Sequence, residues 1–170
     1  MDKALSFERE LYSAISMLDF WSEGKVAATE GGVLFQAENI SGIEEFNIVG
    51  MAALDIRDDV QHPVEFLTLS FVLAKNVEAE VVPAIIGKLY EVNLSFKEGM
   101  FFIDENHNLC YEANFPVLRD NLEETLQLFI MAYSDTITYF DGVYPYLLRL
   151  IARPDDVDFQ QYIMAMTAEE

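Results

Sequence analysis

Hydrophobic periods of two kinds run along this chain, and they come in blocks rather than in alternation. Phe7, Leu11, Ile15, Leu18 and Trp21 recur at spacings of three and four, the stripe of an amphipathic helix. Ser6 reads as its cap and Gly24 as its end. Strand patterns follow. Lys25–Glu30 and Val33–Glu38 flank Gly31-Gly32, a pair that tolerates the positive φ angles of a tight hairpin loop. After a turn at Asn39 to Gly42, Phe46, Ile48, Gly50, Ala52, Leu54 and Ile56 alternate with more polar positions. Asp58 to Pro63 reads as a loop. Val64 to Ala74 is rich in Phe, Leu, Val and Thr on both parities, so it is expected to be central and covered on both sides.

Val82, Ile86, Leu89 and Val92 predict a second helix over about 81–93, with Pro83 in its first turn, where no backbone donor is needed. A hairpin is expected from Gly99–Asp104 and Leu109–Phe115. Asp120 and Glu123 resemble a capping box. Leu122, Leu126, Phe129, Tyr133, Ile137 and Phe140 then form the clearest helical stripe. Gly142 is expected to cap or kink that helix, Pro145 to restart it through Ile151, and Arg153-Pro154 to stop it. Helices that do not alternate with single strands argue against a parallel doubly wound sheet. The expectation is an α+β fold, a mostly antiparallel sheet with flanking helices in the order α-ββββ-α-ββ-α. Residues 1–154 form one domain. Residues 155–170 form an acidic tail, either disordered or docked through Phe159, Ile163 and Met166, with Tyr162 beside them and Asp158 as cap.

Ten basic residues face thirty acidic ones, a formal net charge of −20. Such a field repels phosphate backbones and anionic lipid, so nucleic acid and membrane surfaces are not expected partners. A basic peptide or protein face is compatible with it. No run approaches the ~20 apolar residues of a membrane span, and Met1-Asp2-Lys3 does not open a secretory signal. A cytoplasmic location is expected by elimination, which leaves the glycosylation patterns at Asn39 and Asn93 without meaning.

Catalytic constellations are scarce. The two histidines, His62 and His107, fall in a loop and a turn. Cys110, the single cysteine, reads as a small apolar residue on a strand. Asp104-Glu105-Asn106-His107-Asn108 begins like a calcium loop, but Leu109 stands where the sharp turn requires Gly and Phe115 where a bidentate Glu is needed. No cofactor, metal site or catalytic residue is expected. The competing reading is a carboxylate-based or metal-assisted hydrolase using acids of the 104–112 hairpin. Phe101 and Phe102 are adjacent on one strand and must point to opposite faces. Either helices cover both faces, or one of the two rings is exposed. Phe101, Phe102, Tyr111, Phe115, Phe159 and Tyr162 are therefore the candidate partner-binding residues.

Leu89-Tyr90-Glu91-Val92-Asn93, then Gly99-Met100-Phe101-Phe102-Ile103-Asp104, then Leu109 to Phe115 resemble the pattern of the YbjN-like family. That pattern is a helix ending in Asn, a G-x-F-x-x-D strand, a turn, an aromatic strand and a long helix. His107-Asn108 replaces the usual turn glycine. The resemblance implies a fold like that of type III secretion chaperones, and a regulatory or chaperone-like protein-binding role with no catalytic residues. By analogy it also implies a homodimer.

Overall fold

The computed structural model describes residues 2–37, 48–57, 64–95, 99–117 and 121–167. The expected turn at Asn39 to Gly42, the loop at Asp58 to Pro63, His62 and Asp120 lie outside them. The element order is α1 (Asp2–Ser16), β1 (Val26–Thr29), β2 (Gly32–Ala37), β3 (Ile48–Arg57), β4 (Val64–Ala74), α2 (Val82–Ser95), β5 (Gly99–Ile103), β6 (Leu109–Pro116), α3 (Leu122–Ala152) and α4 (Phe159–Thr167). The strands form one sheet in the order β1-β2-β3-β4-β6-β5, antiparallel at every pairing. The chain is thus an α+β domain with the expected layout, and β4 is central.

Alternation along each strand sorts the sheet into two unlike faces. Val33, Phe35, Leu67, Leu69, Phe71, Tyr111 and Phe101 all point to one face and are buried in a single core with residues of α1, α2, α3 and α4. The other face carries two cross-strand rows. One runs Leu34, Met51, Ser70, Glu112, Met100, and the next runs Gln36, Val49, Val72, Cys110, Phe102. Leu34, Val49, Met51 and Met100 are between 39% and 54% exposed. The expectation that β4 is covered on both sides therefore fails. Phe66 and Val72 on its second face are only half-buried, whereas Leu67, Leu69, Phe71 and Leu73 are fully buried in the core.

Local chemistry moves several boundaries. Helix α1 begins at Asp2, well before Ser6, and ends at Ser16. Leu18 and Trp21 lie in the turns that follow, where the Trp21 indole donates 2.7 Å to the carbonyl of Ile15, satisfying one of the helix's last acceptors. The first hairpin loop is Glu30-Gly31, because Gly32 already pairs with Thr29. In α2 the core residue is Ile85, and Ile86 faces outward. The α3 cap is Asn121 rather than Asp120. Its side chain accepts from the Glu124 amide at 3.1 Å and donates to the Glu124 carboxylate at 2.9 Å, a side-chain cap one residue later than the sequence suggested.

Helix α3 also runs through Gly142 and Pro145 without a break. Pro145 removes only the hydrogen bond to Asp141, while Val143, Tyr144, Tyr146, Leu147 and Leu150 are buried on either side of it. After a short 3₁₀ turn at Pro154–Asp156, Asp158 caps α4 through its carboxylate, 3.0 Å from the Gln161 amide. Phe159 is buried against Tyr146, ring centroids 5.1 Å apart. The Tyr162 hydroxyl donates 2.7 Å to the Gly142 carbonyl. The tail therefore lies on its own domain. The buried residues are Phe159 and, in part, Tyr162, while Ile163 and Met166 stay about two-fifths exposed.

Candidate functional site

The six aromatic candidates separate by exposure. Phe101, Tyr111 and Phe159 are each at most 2% exposed, so they are core and offer no surface. Phe115 and Tyr162 are half-buried against that core. Phe102 alone among the six lies on the open face, paired across strands with Cys110. Neither alternative raised by the Phe101-Phe102 doublet is fully realised: the rings do point to opposite faces, but Phe102 is half-buried there rather than exposed.

The hairpin residues that carry the family pattern turn out to be architectural. Asn93, near the end of α2, donates 2.8 Å to the carbonyl of Phe101 and accepts at 2.7 Å from its amide. One side chain thus satisfies the outward backbone groups at the centre of edge strand β5 and blocks strand addition there. A Cβ on Gly99 would collide with the phenol end of Tyr111, so Gly99 allows that ring to sit beneath the strand. Asp104 accepts from the amides of Asn106 and Asn108 at 2.9 and 2.7 Å, and from the Asn108 side chain at 2.9 Å. His107 adopts φ 57°, the left-handed conformation usually given to Gly.

Those bonds, the Asn108 amide first, hold the Asp104 carboxyl below its ordinary value. A general acid needs the opposite shift. Burial, then Asp104 and Glu112, push the Cys110 thiol up to about 11, away from the thiolate a nucleophile requires. Among the described residues no cluster of three or more His, Cys, Asp or Glu could hold a metal ion.

An aromatic-lined concavity lies elsewhere. A groove of about 450 Å³ opens between the α1–β1 connection and α3, lined by Phe20, Trp21, Ile130, Tyr133 and Ile137, with Ser22, Gln36, Ser134 and Thr138 around them. Its walls follow from the elements. The Trp21 bond to Ile15 and the turn at Gly24, φ 75°, fix the connection. Phe20 stacks on Tyr133 at 5.1 Å and 14° while staying 45% exposed. Trp21 meets both Tyr133 and Phe35, at 5.1 and 5.0 Å. From there ring contacts continue through Phe35, Phe71, Phe140 and Tyr111 to Phe101. The groove floor is therefore the rim of a rigid aromatic core. Burial pushes the Tyr133 phenol up to about 12. Exposed Asp19, Glu23 and Asp135 sit on the segments that form the two walls.

The sequence stripe on α3 explains why this groove escaped notice. The fully buried side chains in the first half of α3 are Thr125, Phe129, Ala132, Thr136 and Phe140. Tyr133 and Ile137 pack against the core with one side, Tyr133 meeting the rings of Phe35 and Phe71, and line the groove with the other. The available signal was the Phe20-Trp21 doublet just after a helix end, of which Trp21 packs against the core and Phe20 stays 45% exposed.

A larger, polar groove of about 730 Å³ between α1 and β1 is lined by Glu8, Arg9, Tyr12, Ser13, Ala28, Thr29 and Glu30. Its one aromatic hydroxyl, on Tyr12, accepts from the Leu54 amide at 2.9 Å. Comparison with protein-family models, curated proteins and solved structures finds no match for this chain. Among the described residues no helix is long and apolar enough to cross a membrane.

Proposed function

We propose that this chain is a non-catalytic protein-binding module, regulatory or chaperone-like, that holds an apolar side chain of a basic peptide segment in the Phe20–Tyr133 groove. The observation that carries this reading is the groove itself. It is shallow, aromatic and preformed by stacking, and none of its lining residues is ionised at neutral pH. That composition suits an anchor side chain, since anchoring aromatic residues concentrate binding energy. It does not suit proton transfer, which needs groups that titrate near the working pH. The acids on the groove walls and the net charge of −20 favour a basic partner and disfavour nucleic acid and anionic membrane. The YbjN-like resemblance and a cytoplasmic location belong to the same proposal.

The hydrolase alternative is weaker, because Asp104, its leading acid, is committed to the turn and shifted in the wrong direction. Selection of random peptides displayed against the wild-type chain and against Ile130→Asp tests the proposal. The expected outcome is a family of sequences with one bulky apolar residue flanked by Lys or Arg, lost on Ile130→Asp. Selection of the same sequences by both proteins would refute the groove as the site.

A further inference from the structure

We propose that α4 is a latch, a short helix that opens from α3 and closes on it again while the rest of the domain stays folded. Among its nine residues only Phe159 is buried and Tyr162 half-buried, and the other seven are exposed. A helix this short does not hold its shape in water without packing, so α4 is helical only while those two side chains are seated. Its link to α3 is not helical. Arg153 leaves α3 at φ −152° and ψ 75°, and after the 3₁₀ turn Val157 is extended at φ −117° and ψ 140°. Rotation at Val157 moves α4 as a unit and leaves α3 intact.

The same seam holds the latch and opposes it. Closure is favoured by the Phe159 and Tyr162 rings, 5.1 and 5.4 Å from the ring of Tyr146, and by the Tyr162 bond to the Gly142 carbonyl. It is opposed by Tyr146 itself, which is 1% exposed and whose hydroxyl has no hydrogen-bond partner among the described residues. Such a hydroxyl forfeits the bonds it makes with water, and lifting α4 restores them. Charge acts in the same direction. After burial, the carboxylates of Glu91 on α2 and Asp158 at the α4 cap raise the Tyr146 phenol, so closing α4 gathers two like charges around one ring. Arg149 acts on the Tyr162 phenol and Arg153 faces Asp156 at 4.0 Å, and neither is among the charges that act on Tyr146. A recess of about 270 Å³ between α3 and α4, lined by Tyr146, Arg149, Asp158, Gln161 and Tyr162 among others, leaves the seam incompletely packed.

Native-state hydrogen exchange of the full chain tests this. The α4 amides of Ile163, Met164, Ala165 and Met166 are expected to exchange together, through one opening that leaves the α3 amide of Leu147 protected. Phe159→Ala is expected to abolish their protection while Leu147 keeps its own. Tyr146→Phe is expected to raise their protection by about fivefold or more, because the ring stays and the dry hydroxyl is gone. Loosened packing could only lower it. Glu91→Gln is expected to raise it by a smaller factor. Amides of α4 that exchange at the same rate as Leu147, that lack protection in the wild-type chain, or that fray in order inward from Thr167 overturn the proposal. So does Tyr146→Phe that leaves α4 protection unchanged or lowers it, or Glu91→Gln that lowers it.

Discussion

The β5–β6 hairpin and the Phe20–Tyr133 groove lie at opposite ends of one line of aromatic rings, yet they differ in almost every other respect. The hairpin holds the most motif-like stretch of the sequence, with Asn93, Gly99, Phe101 and Asp104 at set spacings. Each of those residues is used to close an edge, admit a ring or shape a turn. The groove has no motif. It is assembled from a turn and a helix more than a hundred residues apart in sequence, and its walls are the rings that the core leaves half outside. A recognisable pattern can thus report how a fold is held, while the surface available for binding arises where the packing stops.

Changes in the hairpin should cost stability, and changes in the groove should not. The largest contrast is between Phe101→Ala and Ile130→Ala. The first removes a core ring and is expected to cost about 3–5 kcal/mol. The second trims an exposed side chain, with an expected cost within about 0.5 kcal/mol. Urea denaturation of both variants checks this, and equal losses would erase the distinction. Asn93→Ala comes next. It removes both Asn93 bonds to the Phe101 backbone at a partly buried edge, for an expected loss of about 1–3 kcal/mol. The Phe101 amide should also lose its protection in hydrogen exchange, and protection equal to wild type would show that the edge is closed by something else.

Alkali probes the buried phenols, of which Tyr133 lines the groove while Tyr144 and Tyr146 lie in the core. Burial raises the phenols of Tyr133 and Tyr146 to about 12, and that of Tyr144 further. With folded values raised, the native state keeps protons that the unfolded chain releases above about pH 10. Stability is therefore full below that pH and falls as pH rises from about 10 toward 12. Melts at increasing pH, paired with a phenolate absorbance titration, should show the fall, and a flat profile would contradict the burial of these rings. The smallest effect is expected at His107→Gly. Relief of the left-handed backbone, offset by the entropy of Gly, should leave stability unchanged or raise it by up to about 1 kcal/mol. A clear loss would mean that the His107 side chain contributes to the turn.

Much of the architecture was legible from the chain. Val64 to Ala74 was delimited correctly because its β-branched and aromatic residues end abruptly at Pro63 on one side and at Lys75-Asn76 on the other. Element order was legible because periods of two and of three to four residues do not mix. On α3 the large apolar stripe does meet the core, with Phe129 and Phe140 fully buried and Leu122, Leu126, Tyr133 and Ile137 partly so, but Thr125, Ala132 and Thr136, which are also buried, carry no apolar signal strong enough to be noticed. The continuity of α3 across Pro145 depends on burial supplied by the sheet, α2 and α4, which local propensity cannot register. The bareness of the second sheet face was hidden by Val72 and Phe66, apolar residues that suggest a covering layer. Asn93 was noticed only as part of a pattern, since its partner is a backbone brought near by tertiary structure.

Trp21 is the single tryptophan of the chain and stands in the groove wall, so its fluorescence reads the site without a label. The decisive measurement is a titration of that emission with a basic peptide bearing one bulky apolar residue, compared with the same peptide carrying Ala in its place. A groove that anchors the apolar side chain predicts a saturable blue shift with the first peptide, little change with the second, and loss of the response in Ile130→Asp. An emission spectrum that stays constant while the peptide binds, followed by calorimetry, would place the binding surface elsewhere.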